Sequence, residues 1–283
     1  MKRHKPTQDA RSSRATAVRR GKERKRMRRL PVGAEVLSGG GVHFRVWAPR
    51  RKTAEVVIES GPGYRQTDAA PAFELNREAS GYFSGVVPAA VDGTFYRYRL
   101  DAGGDLFPDP ASRFQPEGPH GPSQVVDPDK FRWTDGHWLG AAVTGQIIYE
   151  MHIGTFTPEG TWKAACALLP QLAETGVTLL EVMPVADFSG RFGWGYDGVD
   201  LFAPTRLYGT PEDFREFVNR AHTIGMGVIL DVVYNHVGPD GCYVSEFSDD
   251  YFTDRYKTDW GPALNFDGEN SGPVREFVLS NVI

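Results

Sequence analysis

The stretch "MGVILDVVYNH", Met226 to His236, decides how the second half of the chain is read. Val228, Ile229 and Leu230 are apolar on successive positions, which suits a strand of a parallel sheet buried on both faces. Asp231 interrupts that run just before Val232 and Val233, so a carboxylate stands near the end of a buried strand. An ionised side chain there costs several kcal/mol unless a cation or strong donors meet it. Working backwards, "TPEDFREFVNRAHTIG" has helical spacing and "VTLLEVMPV" is a second apolar run. Before these, "TWKAACALLPQLAETG" is helical again and "GQIIYEMHI" has strand character. Both helices end in glycine, at Gly176 and Gly225, as a C-cap expects. The order β-α-β-α-β predicts parallel strands covered by helices. Downstream, "SGPVREFVLSNVI" begins with turn residues and becomes helical. Three strands are too few to close a barrel, so the second half reads as the start of something longer.

The first half has a different texture. "VHFRVWAP", "TAEVVIES", "GYFSGVVP" and "GTFYRYRLD" are short apolar or alternating runs separated by Gly, Pro and Asp turns, which predicts a small β-sandwich. Between the halves, Phe107 to Phe131 holds six prolines and little periodicity. That composition predicts a connector lying along a surface, outside any core.

With 283 residues, 40% hydrophobic and 24% charged, the chain has the composition of a globular protein with real cores. Its net charge of −4 hides an asymmetry. Residues 1–30 carry thirteen Lys and Arg against Asp9 and Glu23, a surplus of +11 that leaves −15 for the rest. An acidic body argues against a nucleic-acid groove. The basic head has no apolar stretch for a signal peptide and no lipidation pattern, so no membrane partner is expected. It reads as a disordered extension ahead of Met27, with a functional basic tail as the alternative. Cys166 and Cys242 lie in unrelated surroundings and suggest neither a disulfide framework nor a metal knuckle. Cytoplasmic residence is the expectation.

Chemistry concentrates where the strands end. In an α/β barrel the C-terminal ends of the strands face the active site, and there Asp231, Asn235 and His236 would gather. Glu150 and Glu181 lie among apolar neighbours in the first two strands; they read as hydrogen-bonded structural glutamates, with an acid/base pair as the alternative. His152 has a rim position but no partner identifiable in the sequence. Gly193-Trp194-Gly195-Tyr196-Asp197-Gly198 satisfies the G-x-G-x-x-G pattern of dinucleotide-binding loops. That pattern holds pyrophosphate only when a strand precedes it and a helix opens at its end, and here Pro204 and Tyr208-Gly209 come next. Trp194 and Tyr196 instead offer flat rings with polar tips, suited to the apolar faces of sugars or to capping the sheet. No H-E-x-x-H, C-x-x-C, EF-hand loop, Walker A or G-x-S-x-G occurs.

"GVTLLEVMPV", "FGWGYDGVDLFAP", "YGTPEDFREFV", "GVILDVVYNH" and "NFDG" together resemble the first part of an α-amylase superfamily glycoside hydrolase. "RRLPVGAEVLSGGGVHFRVWAP", "YEMHIGTFTPEGTW" and "YFTDRYKTDWGPALNFDGENS" are similar to the pattern of the malto-oligosyltrehalose trehalohydrolase family within it, over about residues 28–283. The resemblance implies a multidomain β plus α/β chain. Its expected parts are a disordered basic extension over 1–27, an immunoglobulin-like β-sandwich over 28–115, a connector over 116–143 and a partial (β/α)8 TIM barrel over 144–283. About three βα units of that barrel are expected, with an insertion after the third strand starting at 237–270.

The implied reaction is retaining cleavage of the α-1,4 bond next to the terminal trehalose unit of maltooligosyltrehalose, through a nucleophile and a general acid/base. Those carboxylates belong to barrel strands expected beyond Ile283, so no catalytic residue is assigned and the chain alone is expected to be inactive and to fold poorly. By the resemblance, Tyr196 matches the aromatic that stacks under the sugar before the cleaved bond, and His236 the histidine that hydrogen-bonds its hydroxymethyl group. Asp231 matches an aspartate that pairs with an arginine just ahead of the nucleophile, and Trp194 joins them as a substrate-binding candidate. Asn235 matches a calcium-linked position in many amylases, but this branch does not generally need calcium, so neither metal nor cofactor is expected. The implied partners are maltooligosyltrehalose or a related α-1,4-glucan and, functionally, a maltooligosyltrehalose synthase. A glycogen branching or debranching enzyme shares the architecture, and a non-catalytic α-glucan-binding protein is the alternative from another class.

Overall fold

The computed structural model describes residues 28–62, 70–142 and 144–282. The basic extension expected over 1–27 lies outside them.

Residues 33–107 form two antiparallel sheets. The first runs in the order β1 (Gly33–Val36), β2 (Val42–Trp47), β6 (Tyr82–Val87), β5 (Asn76–Arg77). The second runs β4 (Ala72–Glu74), β3 (Ala54–Ser60), β7 (Phe95–Leu100), β8 (Leu106–Phe107). Alternation along the strands is what makes a sandwich, because every second side chain points between the sheets. In β2, Val42, Phe44 and Val46 are buried while His43 and Arg45 are only partly covered. In β7, Tyr96, Tyr98 and Leu100 point inward, and outward-facing Arg97 and Arg99 reach Glu59 and Glu55 across the ladder at 3.0 and 3.2 Å. Phe44 and Tyr96 meet edge to face across the core, with ring centroids 4.8 Å apart.

The proline-rich segment is not a surface connector, and the expectation that it stays out of the core fails. Ser123–Gln124 forms β9, which pairs with β7. Asp109, Ala111, Ser112, Gln115, Val125 and Val126 are all buried. Proline has no N–H, so a proline-rich segment brings fewer donors into the interior. Local bonds meet many of the others: Ser112 N–H donates to the Asp109 carbonyl (2.9 Å), and Gln124 N–H to that of Phe114 (2.9 Å). Further along, Thr134 N–H donates to Asn219 Oδ1 at 2.8 Å, and Trp138 stacks on His222 with ring centroids 4.6 Å apart.

The second half contains the expected β-α-β-α-β unit. Strands β10 (Ile148–Met151), β11 (Leu179–Val182) and β14 (Gly227–Leu230) pair in parallel in the order β10-β11-β14. After β10 a short turn of helix, α1 (Ile153–Phe156), leads to α2 (Trp162–Glu174); α3 is Pro211–Thr223. Thr161 caps α2, and Thr210 with Asp213 forms a capping box on α3, each oxygen meeting N–H groups the helix start leaves unpaired. Leu180, Val182 and Met151 pack against Trp162, Leu169, Phe217 and Ala221 on the helical side.

The opposite face differs from the expectation of strands buried on both sides. Ile148 and Ile229 are 53% and 40% exposed there, and no strand pairs with the outer edge of β10 or β14 among the described residues. Between β11 and α3 a two-stranded antiparallel hairpin, β12 (Ala186–Asp187) and β13 (Asp200–Pro204), raises the loop 188–199 beside the strand ends.

The segment after β14 folds back on the sandwich. It contains α4 (Val244–Phe247), the antiparallel pair β15 (Phe252–Thr258) and β16 (Gly261–Leu264), and α5 (Ser271–Val282). Val244, Phe247, Tyr251, Val274 and Phe277 belong to the same buried cluster as the sandwich residues. Tyr98 meets Phe247 at 5.8 Å and Trp47 meets Tyr251 at 5.3 Å, both edge to face. The segment after β14 therefore shares an apolar core with the sandwich, while the parallel strands and their helices keep a second core of their own.

Candidate functional site

The glycines of the 193–198 loop are explained by packing. Gly195 has φ +90°, and a Cβ there would overlap the Pro184 carbonyl oxygen. A Cβ on Gly193 would sit 2.8 Å from the Phe188 ring. The loop thus lies flat on the end of β11 and on its own hairpin, and Gly198 leads into β13, with no helix start to receive a phosphate.

On that seat the loop presents two aromatic rings, Trp194 being 71% and Tyr196 40% exposed. The Tyr196 hydroxyl donates to Asp231 Oδ2 at 3.2 Å. The two are far apart in sequence; Gly195 seats the loop on Pro184 just past β11, and Asp231 N–H bonds the Val182 carbonyl at 2.9 Å, continuing the β11–β14 ladder by one residue. Partial burial, followed by the negative charge of Asp231 and more weakly of Glu150 and Glu181, pushes the Tyr196 phenol above its ordinary range. The phenol therefore stays a donor, and Asp231 keeps a partner without an arginine. The expected burial of Asp231 is only partial.

Glu150 and Glu181 stand directly opposite one another in the parallel register, so both point to the uncovered face. Neither makes a hydrogen bond among the described residues. They are not hydrogen-bonded structural glutamates; the open face leaves them solvated.

His236 is almost fully buried, its Nδ1 3.2 Å from Asn235 Oδ1. It lies beside Trp260, whose ring is 6.5 Å away and 69% exposed. Sequence reasoning did not single out Trp260, because a lone Trp in "KTDWG" carries no spacing signal. The site thus unites Tyr196 and Asp231 by a direct bond, carries Trp194 on the same loop, and places His236 beside Trp260. Among the described residues no group of three or more His, Cys, Asp and Glu is arranged to hold a metal ion.

Two supports hold the loop: His152, whose rim position was legible in the sequence but whose partners were not, and an ion pair that no pattern marks. His152, at the end of β10, has Nε2 3.0 Å from the Gly193 carbonyl oxygen and 2.8 Å from the Tyr208 hydroxyl, while Nδ1 is 3.0 Å from Thr155 Oγ1. At the neck of the hairpin, Arg206 Nη1 donates to both oxygens of fully buried Asp187, at 2.9 and 3.2 Å. Asp200, opposite Asp187 in the ladder, is buried with Oδ2 unpartnered. Burial, then the charges of Asp187 and Asp109, push its carboxyl well above the usual range.

Comparison with known proteins agrees with this architecture. Residues 31–116 match the carbohydrate-binding module 48 (isoamylase N-terminal domain) family. A malto-oligosyltrehalose trehalohydrolase of Saccharolobus solfataricus is 45% identical over 87% of this chain and 42% of its own length. A 1,4-alpha-glucan branching enzyme of Rhodospirillum rubrum is 31% identical, over 89% of this chain and 37% of its own. Among solved structures, a putative alpha amylase from Salmonella typhimurium superposes with a TM-score of 0.81 at 40% identity, covering 90% of this chain and 41% of that one. The chain therefore spans about two fifths of the length of the trehalohydrolase it matches. Residues 125–273, more than half of the chain, match the alpha amylase catalytic domain, and with the strand-end site just described this places the chain in the α-amylase family, as a relative of its malto-oligosyltrehalose trehalohydrolases.

Proposed function

We propose that residues 144–282 are the first three βα units of a (β/α)8 barrel whose rim binds an α-1,4-linked glucan. The whole protein of which they form part would release trehalose from maltooligosyltrehalose with retention of configuration. The observation that carries this reading is the Tyr196–Asp231 bond on the loop that also exposes Trp194. A phenol fixed at its hydroxyl holds its ring at one angle, and a flat ring of fixed angle is a platform for the apolar face of a glucose unit. Trp194 on the same loop supplies a second ring, and His236 the polar contact at its edge.

Hydrolysis needs two carboxylates about 5–5.5 Å apart on either side of the bond, one protonated and one ionised. Glu150 and Glu181 are carboxylates on the open face, but they lie before the strand ends, below the platform. We assign them no catalytic role and place the nucleophile and general acid/base on the later strands of the barrel. The reading includes no metal and no cofactor, a cytoplasmic location and a functional partnership with a maltooligosyltrehalose synthase. Greater similarity to trehalohydrolases than to the branching enzyme favours trehalose release over branching.

Titrating this chain with maltotetraose by calorimetry, and assaying trehalose release from maltooligosyltrehalose, tests both halves of the proposal. Saturable binding without trehalose is the expected result. Trehalose release by this chain would overturn the assignment of catalysis to later strands, and no binding at millimolar glycan would overturn the site.

A further inference from the structure

His152 touches the loop without taking part in the proposed sugar contacts, and both of its ring nitrogens have polar neighbours. It occupies the N-cap position of α1, and its side chain does not cap that helix. Its three polar neighbours are met best by one tautomer. The Gly193 carbonyl oxygen, 3.0 Å from Nε2, can only accept, so this contact is a hydrogen bond when Nε2 carries the proton. The Tyr208 oxygen lies 2.8 Å from the same nitrogen. Thr155 is left to donate its hydroxyl to the lone pair of Nδ1 at 3.0 Å.

Packing holds the ring in place. Tyr208 is buried and stands edge to face with it at 5.7 Å. A Cβ on Gly154 would lie 2.8 Å from the Tyr208 ring and 3.0 Å from the imidazole, so only glycine leaves room for the pair. The phenol of Tyr208 is pushed up to about 12 by burial, which keeps it neutral beside the histidine.

The carbonyl that His152 holds belongs to the residue directly before Trp194, and Trp194 itself is largely exposed. Gly195, on its other side, is pinned over Pro184 by shape alone. The peptide carrying Trp194 is therefore tethered by one hydrogen bond before it and one steric seat after it. We propose that His152, braced by Tyr208 and Thr155, is a positioning residue that sets the Trp194–Tyr196 platform through the Gly193 carbonyl. Ordering the platform in the free protein lowers the entropy lost when a sugar stacks on it, so the clamp acts on glycan affinity. This rests on the glycan-binding reading given above.

The test combines two measurements on the whole chain. Hydrogen exchange of the peptide spanning residues 190–199 reads the clamp without any sugar, and maltotetraose titration reads its consequence. His152→Ala is expected to speed exchange in that peptide about tenfold and weaken maltotetraose about tenfold, corresponding to the loss of roughly 1.4 kcal/mol in each equilibrium. Exchange in β2 and β7 of the sandwich stays unchanged. His152→Gln, whose amide N–H can reach the Gly193 oxygen, is expected to recover most of both, a rescue that a role in filling space alone would not give. Thr155→Val, which frees the other tautomer while sparing the ring, gives a smaller loss and keeps the question open to measurement should His152→Ala fail to fold. Unchanged exchange at 190–199 in folded His152→Ala or Thr155→Val overturns the clamp whatever the sugar does. Faster exchange in a protein that never bound maltotetraose overturns the glycan reading and leaves the clamp standing.

Discussion

Asp200→Asn should stabilise this protein, by an amount that grows with pH. Asp187 and Asp200 face each other in the β12–β13 ladder, and Arg206 bonds only Asp187 among the two. Asp200 is buried with an unpartnered oxygen, and its carboxyl is held well above the carboxylate range by burial first and then by the charges of Asp187 and Asp109. Asp187 is itself raised by burial, with the Thr205 and Arg206 contacts acting against that. One guanidinium beside two carboxylates leaves the proton on Asp200.

Linkage gives the sign. Below the unfolded-state value, near 3.9, both states bind the proton and Asp200 costs nothing in charge. As pH rises past that point the unfolded chain releases the proton while the folded chain keeps it. The Asp200 contribution to stability then falls by about 1.4 kcal/mol per pH unit until the folded carboxyl itself titrates. Asparagine has nearly the same shape and does not titrate. The gap between variant and wild type is therefore expected to widen with pH above 4, by about 1.4 kcal/mol per unit, up to the pH at which the folded carboxyl titrates. For a chain of this size that is about 3–6 °C in Tm per unit. Thermal melts of both proteins at pH 5, 6 and 7, at one ionic strength, read it directly. A gap that stays constant with pH, or an Asp200→Asn variant that melts below wild type at pH 7, would refute the reasoning and mean that Asp200 is ionised and paired.

Tyr196→Ala removes the platform and should weaken maltotetraose binding at least tenfold, whereas Tyr196→Phe, losing only the bond to Asp231, should cost severalfold; calorimetric titration separates the two. Gly195→Ala forces a Cβ onto the Pro184 carbonyl at φ +90°, so a loss of about 1–3 kcal/mol in denaturant melts is expected, with faster exchange in the 190–199 peptide. Phe247→Ala empties a position packed on both Tyr98 and Phe107 and should cost about 3–5 kcal/mol. Because that ring belongs to the core that the sandwich shares with the segment after β14, the sandwich peptides and the 244–282 peptides should lose hydrogen-exchange protection together; loss confined to one of them would argue against a shared core.

The features legible in the sequence were those that repeat along the chain. The inward alternation of Val42, Phe44 and Val46, and the glycine stops at Gly176 and Gly225, are short-range signals, and the strands and helices came out where those signals place them. The loop glycines were correctly denied a phosphate, but their actual reason, contact with Pro184 and Phe188, is a tertiary distance that no pattern encodes. The proline-rich segment misled for the opposite cause. Proline signals the absence of regular structure, which is not the same as a surface position; six residues of this segment bring no N–H group, and local bonds such as Ser112 to Asp109 and Gln124 to Phe114 pair others.

Of the polar groups behind the site, only His152 showed a rim position in the sequence, and the partners of all of them escaped because each is solitary in sequence. His152, Tyr208, Asp187, Asp200 and Arg206 come from the end of one strand, a short helical turn and the two sides of a hairpin, and only the parallel ladder and the hairpin neck bring them under one loop. Tyr196 and Trp194 are recognisable as aromatics in a glycine-rich loop, but their angle is set by groups that never touch a sugar: Asp231 at the phenol, His152 at the preceding carbonyl, and Arg206 with Asp187 at the base. A relative that kept both rings and lost these supports would retain the visible motif and lose the platform, so the motif by itself is weaker evidence for glycan binding than the three anchors taken together.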